Sequence, residues 1–380
     1  MTGPTAPRSE EPRSPGQISA GPLFSGQSAQ VLELAEAARR FDGVAPLSEH
    51  VLLHVRHAAP PRRGRPPRTP PEVPTGAERS RDLLLLADDT VAGYAHLDAP
   101  DQADDADVAD AGAGVMSGEL VVHPAHRRRG YGTALIKALG TAAADHGIRL
   151  WAHGDLAAAA ALARTSGFTR VRALWQMRMS LTGPAIASPV FPAGVTLRTF
   201  RPGQDEQAWL RVNRRAFAHH PEQGAWTMTD LELREAEPWF DPAGFFLAER
   251  DGELVGFHWT KVHRLPVGTN QLPNVPPIGE VYVVGVDPAA QGGGLGRALT
   301  LAGLVYLQGR GLDQVMLYVD ESNTPAVKMY SALGFSLWHT DVMYQRALAV
   351  LRKRGGTPAG PRARRRVQSA RAARRLPRPR

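Results

Sequence analysis

Read for the spacing of apolar and polar positions, the chain repeats one order of elements. In the first half a helical period covers Ser28 to Phe41, with Val31, Leu32, Leu34 and Ala35 on its apolar side. A second helix is expected from Ser48, a good N-cap, to Arg56. The run "LLLLADDTVAGYAHLD" predicts a β-hairpin turning near its two aspartates. A strand ending in "LVVHP", a glycine-rich loop, a helix to about His146 and a strand near Leu150 follow. In the second half "VTLRTFRPGQDEQAWLRVNRRAFAHH" predicts a strand and a helix, and "GFFLAERDGELVGFHWTKVH" a hairpin with "RDGE" at its turn. The strand "GEVYVVGVDP" leads into a second glycine-rich loop and helix. The strand "QVMLYVD", a helix in "NTPAVKMYSALGF" that ends at Gly334, and the strand "SLWHTDVMYQ" complete the order.

The halves align with His123-Pro124 on Asp287-Pro288, and with "SGF" (166–168) on "LGF" (333–335). This predicts an α/β chain, an α+β mixed sheet in two tandem domains over 28–182 and 195–346, with a linker at 183–194. Residues 1–27 read as a disordered leader and 347–380 as a disordered Arg-rich tail. The proline-rich stretch 57–81 and the acidic stretch 98–114 read as loop inserts, since proline fixes φ and removes donors.

Composition narrows the chemistry. The chain has no cysteine, so disulfides, thiolate nucleophiles and cysteine metal sites are excluded. It holds no apolar run of membrane-spanning length and no apolar leader segment, so a cytoplasmic protein without a membrane partner is expected. The net charge of +8 is a property of one end: residues 352–380 carry twelve Arg or Lys and no acid, and the rest is mildly acidic. A charge run of this kind is ordinarily solvated, so nucleic acid is not an expected partner beyond what the tail could hold. His219 and His220 diverge and lack further ligands nearby, so no metal is expected.

The two loops share a spacing, Arg127-x-x-Gly130-x-Gly132 and Gln291-x-x-Gly294-x-Gly296, and a helix begins at once in each. Helix N-termini offer free N–H groups and a positive dipole, and glycine lets backbone approach an anion, so the pair reads as two pyrophosphate cradles. No Gly-Lys-Ser/Thr follows, which excludes a P-loop, and neither loop spells a dinucleotide fingerprint. A tight turn without ligand is the alternative for either loop alone.

"VYVVGVDPAAQGGGLGRAL", with Asn323, Tyr330, Gly334 and Phe335 downstream, resembles the acetyl-CoA site of the GCN5-related N-acetyltransferases (GNAT). The resemblance covers about 28–346 and omits the two inserts and the tail. It implies acetyl-CoA as co-substrate. In the second half Val284, Gly285 and Val286, then Gln291, Gly292, Gly293, Gly294, Leu295, Gly296 and Arg297, with Asn323 and Lys328, would hold it. In the first half Leu120, Val121 and Val122, then Arg127, Arg128, Arg129, Gly130, Tyr131 and Gly132, would do the same. "NRRAFAHHPEQGAW", "GFHWTKVH" and "LYVDESNTPAVKMYSALGF" resemble the tandem members of the family that acetylate the cysteinyl amine of cysteinyl-glucosaminyl-inositol. That likeness implies Glu49, Glu222, Lys261, Glu280 and Tyr318 as substrate contacts.

Acetyl transfer to an amine needs a base, a polarised carbonyl and an acid for the leaving thiolate. Glu280 opens a strand on which alternation puts Tyr282, Val284 and Val286 on its own face. Tyr330 stands where the family carries its acid; a core tyrosine is its alternative. In the first half the equivalent positions are Met116 and Ala163, and Glu119 falls three residues out of register, on the opposite face. Catalysis is therefore expected in the second half alone, by direct transfer in a monomer. Two alternatives stand beside this reading: another small-amine acetyltransferase of the aminoglycoside type, and a non-enzymatic acetyl-CoA-sensing or RNA-associated protein using the Arg tail.

Overall fold

The computed structural model describes residues 16–57, 80–88, 90–98, 115–144, 146–218, 221–263 and 276–346. The tail, the body of both inserts, and His219 and His220 lie outside them. The first half runs β1 (Gln17–Ala20), α1 (Ser25–Asp42), α2 (Glu49–Arg56), β2 (Arg81–Ala87), β3 (Thr90–Leu97), β4 (Val115–Val122), α3 (Tyr131–Ala143), β5 (Gly147–Ala152), α4 (Ala157–Thr165) and β6 (Thr169–Ser180). The second runs β7 (Val195–Thr199), α5 (Glu206–Ala216), α6 (Pro221–Gly224), α7 (Met228–Glu235), β8 (Phe245–Arg250), β9 (Glu253–His263), β10 (Ile278–Val286), α8 (Leu295–Gly309), β11 (Gln314–Asp320), α9 (Thr324–Leu333) and β12 (Ser336–Arg346).

Local signals account for most boundaries. Ser48 caps α2 by accepting from the Val51 amide, and Asn323 caps α9 by accepting from Ala326. Gly334, at φ 103°, ends α9. The β8–β9 turn holds Asp251 and Gly252 at φ 53° and 80°, as a twist-matched hairpin requires. The leader is not wholly irregular: Gln17–Ala20 pair antiparallel with Leu83–Leu86, and α1 begins at Ser25. A segment of four residues is too short to give a periodic signal, and it is the hydrogen bonds of β2 that make it a strand.

The twelve strands among the described residues form one sheet, in the order β1-β2-β3-β4-β5-β12-β6-β11-β10-β9-β8-β7. The last strand of each half has crossed to the other. β12 pairs with β5 of the first half, and β6 pairs with β11 of the second, while β6 and β12 pair with each other. The linker 183–194 contains no regular element, yet the sheet does not divide there.

Helices cover both faces. α1 and α2 pack on Leu84, Tyr94 and Val121, and Trp209 of α5 and Leu231 of α7 pack on Phe245, Phe257, Trp259 and Val283. The register Glu119↔Trp151↔Met343 and Glu280↔Met316, Tyr318↔Gln176↔His339 puts these two helix groups on the same face. α3 and α4, then α8 and α9, cover the other face. Six strand spacings separate β4 from β9, roughly 29 Å if flat. Yet Glu49 of α2 bonds Lys261 of β9, and Arg56 of α2 bonds Glu237 beyond α7 at 3.1 Å. The sheet is therefore bent, and this face forms a cleft closed by helices of both halves.

β10 contains a bulge between Val281 and Val283 against β9. A bulge adds one residue and reverses the parity beyond it. Val284 and Val286 therefore do not share the Glu280 face: they pack toward α8, while Val283 joins the Trp259 core and Gly285 meets Phe257. Alternation failed here because it presumes an unbroken strand.

α8 is fixed to β9 by His258, whose Nδ1 donates to the Leu299 carbonyl at 2.7 Å. Burial pulls this imidazole down to about 4, so it is a neutral core side chain. A Cβ on Gly303 would lie 2.0 Å from its ring. Gly303→Ala should cost about 1–3 kcal/mol in denaturant unfolding; an unchanged midpoint would contradict the contact. Separately produced, residues 1–182 and 183–380 should each be insoluble, because each has exchanged a central strand; produced together they should co-elute as one soluble species on size exclusion.

Candidate active site

In the second half the pairing of β10 with β11 runs only from Gly279↔Val315 to Val281↔Leu317. Tyr282 to Val286 therefore diverge from β11 and offer a strand edge to an extended ligand. The loop beyond them holds Gly292, Gly293 and Gly294 at φ 94°, 57° and 82°. Gly294 is the N-cap of α8 and has no side chain to occupy the first-turn amides, so those of Gly296 and Arg297 point out of the helix end. Gln291 and Arg297 are exposed beside them, Leu295 is buried, and Lys328 is exposed on α9. An elongated molecule ending in a pyrophosphate fits this arrangement.

Glu280 lies on the cleft wall, one residue before the strands diverge. It is 6% exposed, and its Oε2 is 2.6 Å from His263 Nε2. Lys261 is its partner across β9 and is also buried, with its ammonium on Glu49 and 4.3 Å from the centre of the Trp239 ring. Tyr282 donates to the other Glu49 oxygen at 2.6 Å, and Arg234 donates to the Tyr282 hydroxyl at 2.8 Å. Burial opposes the charge of Glu49, but Lys261 and Tyr282 hold its carboxyl below the ordinary range. Tyr318 faces the cleft and accepts from Gln176 at 2.7 Å; partial burial and the Glu280 charge raise its phenol. The Tyr330 ring is buried against Phe335, and that burial pushes its phenol well above the usual value, so it keeps its proton at neutral pH. Glu222 lies in α6, and its side chain is outside the described residues.

The first half repeats the frame with different contents. Its strands β4 and β5 stay paired to Glu119↔Trp151, so only Leu120, Val121 and Val122 run on. Val121 is buried under α1 and α2, whereas Leu120 and Val122 pack toward α3. β4 pairs with β3 in unbroken register, without a bulge. Arg127 is held bidentate by Asp42 at 2.7 and 2.6 Å and reaches the Val122 carbonyl at 3.1 Å. Its guanidinium thus closes the loop onto α1. Arg128, at φ 62°, and Arg129 are exposed, Gly130 caps α3 at φ 83°, and Tyr131 and Gly132 begin that helix. Met116 is buried against α3, and Ala163 is a core residue. Glu119 is on the cleft face after all, because the bulge in β10 turns an offset of three into one of two. It accepts from the Ser48 amide at 2.7 Å and lies 3.7 Å from His153. It pins the start of α2.

The model of the "Acetyltransferase (GNAT) family" matches residues 54–168 and again 208–335. The mycothiol acetyltransferase of Thermomonospora curvata is 58% identical over 85% of this chain and 95% of its own length. That of Thermobispora bispora is 55% identical over 84% and 96%. The chain belongs to the mycothiol acetyltransferase family. It is an acetyl-CoA-dependent N-acetyltransferase of two tandem GNAT units. A tandem GNAT protein from the clavulanic acid pathway shares the fold at TM-score 0.60 and 21% identity, covering 87% of this chain and 98% of its own. No helix among the described residues is long and apolar enough to cross a membrane.

Several cleft residues escaped the pattern reading. His263 lies two residues past Lys261, so strand alternation could have flagged it. Alternation did put Tyr282 on the Glu280 face, but its bonds to Glu49 and Arg234 were not visible from it. Arg234, and the pair His153–Asp341 at 3.0 Å, come from distant elements and left none.

A second network fastens α2 to the sheet. His96 lies between Asp82 at 2.9 Å and Asp98 at 3.0 Å, with His54 on Asp82 and His50 on Asp98. Two triplets, His50/His96/Asp98 and His54/Asp82/His96, have ligand atoms within 4.8 Å of one another, spacing that could hold an ion. Burial disfavours the charge of His96, but the two carboxylates raise it to about 9, and Asp341 with Glu119 likewise raise buried His153 to about 10. Folded values above the ordinary 6.5 stabilise fully below pH 6.5, and that stabilisation is lost as pH rises through 9. For His96 alone the shift corresponds to about 3 kcal/mol. The melting temperature should therefore fall between pH 6.5 and 9, and His96→Gln should flatten the slope. A rising or level profile in the native protein would contradict the network.

Proposed function

We propose that the chain transfers the acetyl group of acetyl-CoA to the cysteinyl amine of cysteinyl-glucosaminyl-inositol, giving mycothiol, in the second half of the cleft. The reading rests on Glu280, a buried carboxylate at the point where β10 leaves β11, on a face closed by both halves. The names of the relatives support the substrate.

Glu280 takes a proton from the acceptor ammonium and frees its lone pair. Backbone N–H groups between Tyr282 and Val286 bind the thioester carbonyl and the coenzyme arm. The head of α8, with Gln291 and Arg297, holds the pyrophosphate, and Lys328 and Asn323 flank it from α9. The amine attacks the carbonyl carbon, the carbon–sulfur bond breaks, and Tyr330 gives its proton to the departing sulfur. Transfer is direct, without an acyl-enzyme. Lys261, Glu49, Glu222 and Tyr318 recognise hydroxyls of the acceptor, and Glu49 brings the first half into the substrate site. The first half carries Met116 and Ala163 where the second carries Glu280 and Tyr330, so it lacks this base and acid, and its part in the reaction is the wall that Glu49 supplies.

Glu280→Gln should lower kcat at least ~10²-fold, and Tyr330→Phe should lower it ~10-fold or more, in an assay of mycothiol by mass spectrometry. A wild-type chain that acetylates aminoglycosides but not this acceptor would refute the substrate; a Glu280→Gln chain of wild-type rate would refute the base.

A further inference from the structure

We infer that His263 carries the proton from Glu280 to water and orients the Glu280 carboxylate while doing so. The inference rests on Glu280 being the base. Proton balance demands such a route. An α-amino group titrates near roughly 8, so at neutral pH the acceptor arrives as an ammonium. Ammonium plus thioester gives amide, free thiol and one proton. Two protons leave the nitrogen, the sulfur keeps the equivalent of one, and the other must reach solvent before the next turnover.

Glu280 cannot release it unaided. Its side chain is 7% exposed, whereas that of His263, 2.6 Å away, is 36% exposed. Among the described residues, none of the other charged and titratable groups facing Glu280 makes a hydrogen bond or ion pair with it. Lys261 is held by Glu49, and Tyr282 donates to Glu49. The Tyr318 hydroxyl is bonded to Gln176, and Arg178 donates to Gln176 at 2.9 Å and lies over the Trp338 ring. His263 is the side chain that touches both the carboxylate and the outside. Neutral imidazole accepts from protonated Glu280 at Nε2 and releases from Nδ1, and a ring flip or tautomer exchange resets it. The step moves a proton only and needs no other reactant. His263 also ends β9, paired with Ile278 at the start of β10, so its ring fixes the Glu280 Oε2 and leaves Oε1 for the amine.

The test uses the full chain with acetyl-CoA and cysteinyl-glucosaminyl-inositol, and compares His263→Ala and His263→Gln with wild type. Gln retains a hydrogen-bond donor to Glu280 but cannot relay. Both variants should lose about 10-fold or more in kcat with a small change in KM. Added imidazole should restore His263→Ala, with saturation, and the lower limb of the kcat–pH profile should move. Wild-type kcat and an unchanged profile in both variants would overturn the relay. So would full activity in His263→Gln with loss only in His263→Ala, or a loss in His263→Ala that imidazole does not touch. Glu280→Gln separates the two levels. If it is inactive and insensitive to imidazole, the base stands and the His263 variants judge the relay alone. If it is active, the base reading falls and the relay with it.

Discussion

A central strand cannot be left without neighbours, because its amide and carbonyl groups would lie dry and unpaired. Here that requirement is met across the duplication rather than within each copy. β6 leaves the first half to lie beside β11, β12 leaves the second to lie beside β5, and the two then pair along most of their length. One sheet results, ending in short strands of four and five residues. Short edges of that kind present little backbone to another chain. The bend in this sheet brings α2 to β9, and the contacts of Glu49 with Lys261 and of Arg56 with Glu237 follow from it.

The two halves then diverge by small local changes. One extra residue in β10 moves Glu280 onto the cleft face and Val284 off it, and β10 leaves β11 earlier than β4 leaves β5. The joint between helix and loop is also reversed in polarity. Asp42 holds Arg127 in the first half, and Arg215 holds Asp287 at 2.6 Å in the second. The same seam is closed in both, but only in the second is the residue at the loop's first position, Gln291, exposed on the glycine loop.

Charge inside the cleft is organised in pairs. Lys261 would be costly to bury alone, and Glu49 from the other half meets it. His153 sits between Glu119 and Asp341, so a first-half carboxylate and a second-half carboxylate share one imidazole. These pairs tie the halves together where burial alone would have left mobile charge, and they make α2 a wall of the site of its neighbour.

Much of this was legible along the chain. Periodicity located the hairpins and the longer helices, since each buries one face and so repeats at 3.6 or 2 residues, but it did not find α4, α6 or α7. The glycine spacing marked both strand–loop–helix turns, because glycine adopts the left-handed φ values seen at 292–294 without steric cost. Motif spacing singled out Glu280 and Tyr330. Three things were decided only by tertiary contact. Strand exchange pairs residues far apart in the chain, such as Asp320 with Leu174 or Val342 with Ala152, and leaves no local pattern. The bulge changes side-chain parity by pairing with β9, so no count along β10 alone reveals which face Glu119 or Val284 takes. The partners of the buried charges, Glu49 for Lys261 and Asp42 for Arg127, were set by which surfaces the bent sheet brought together, since electrostatic pairing acts through space and not along the sequence.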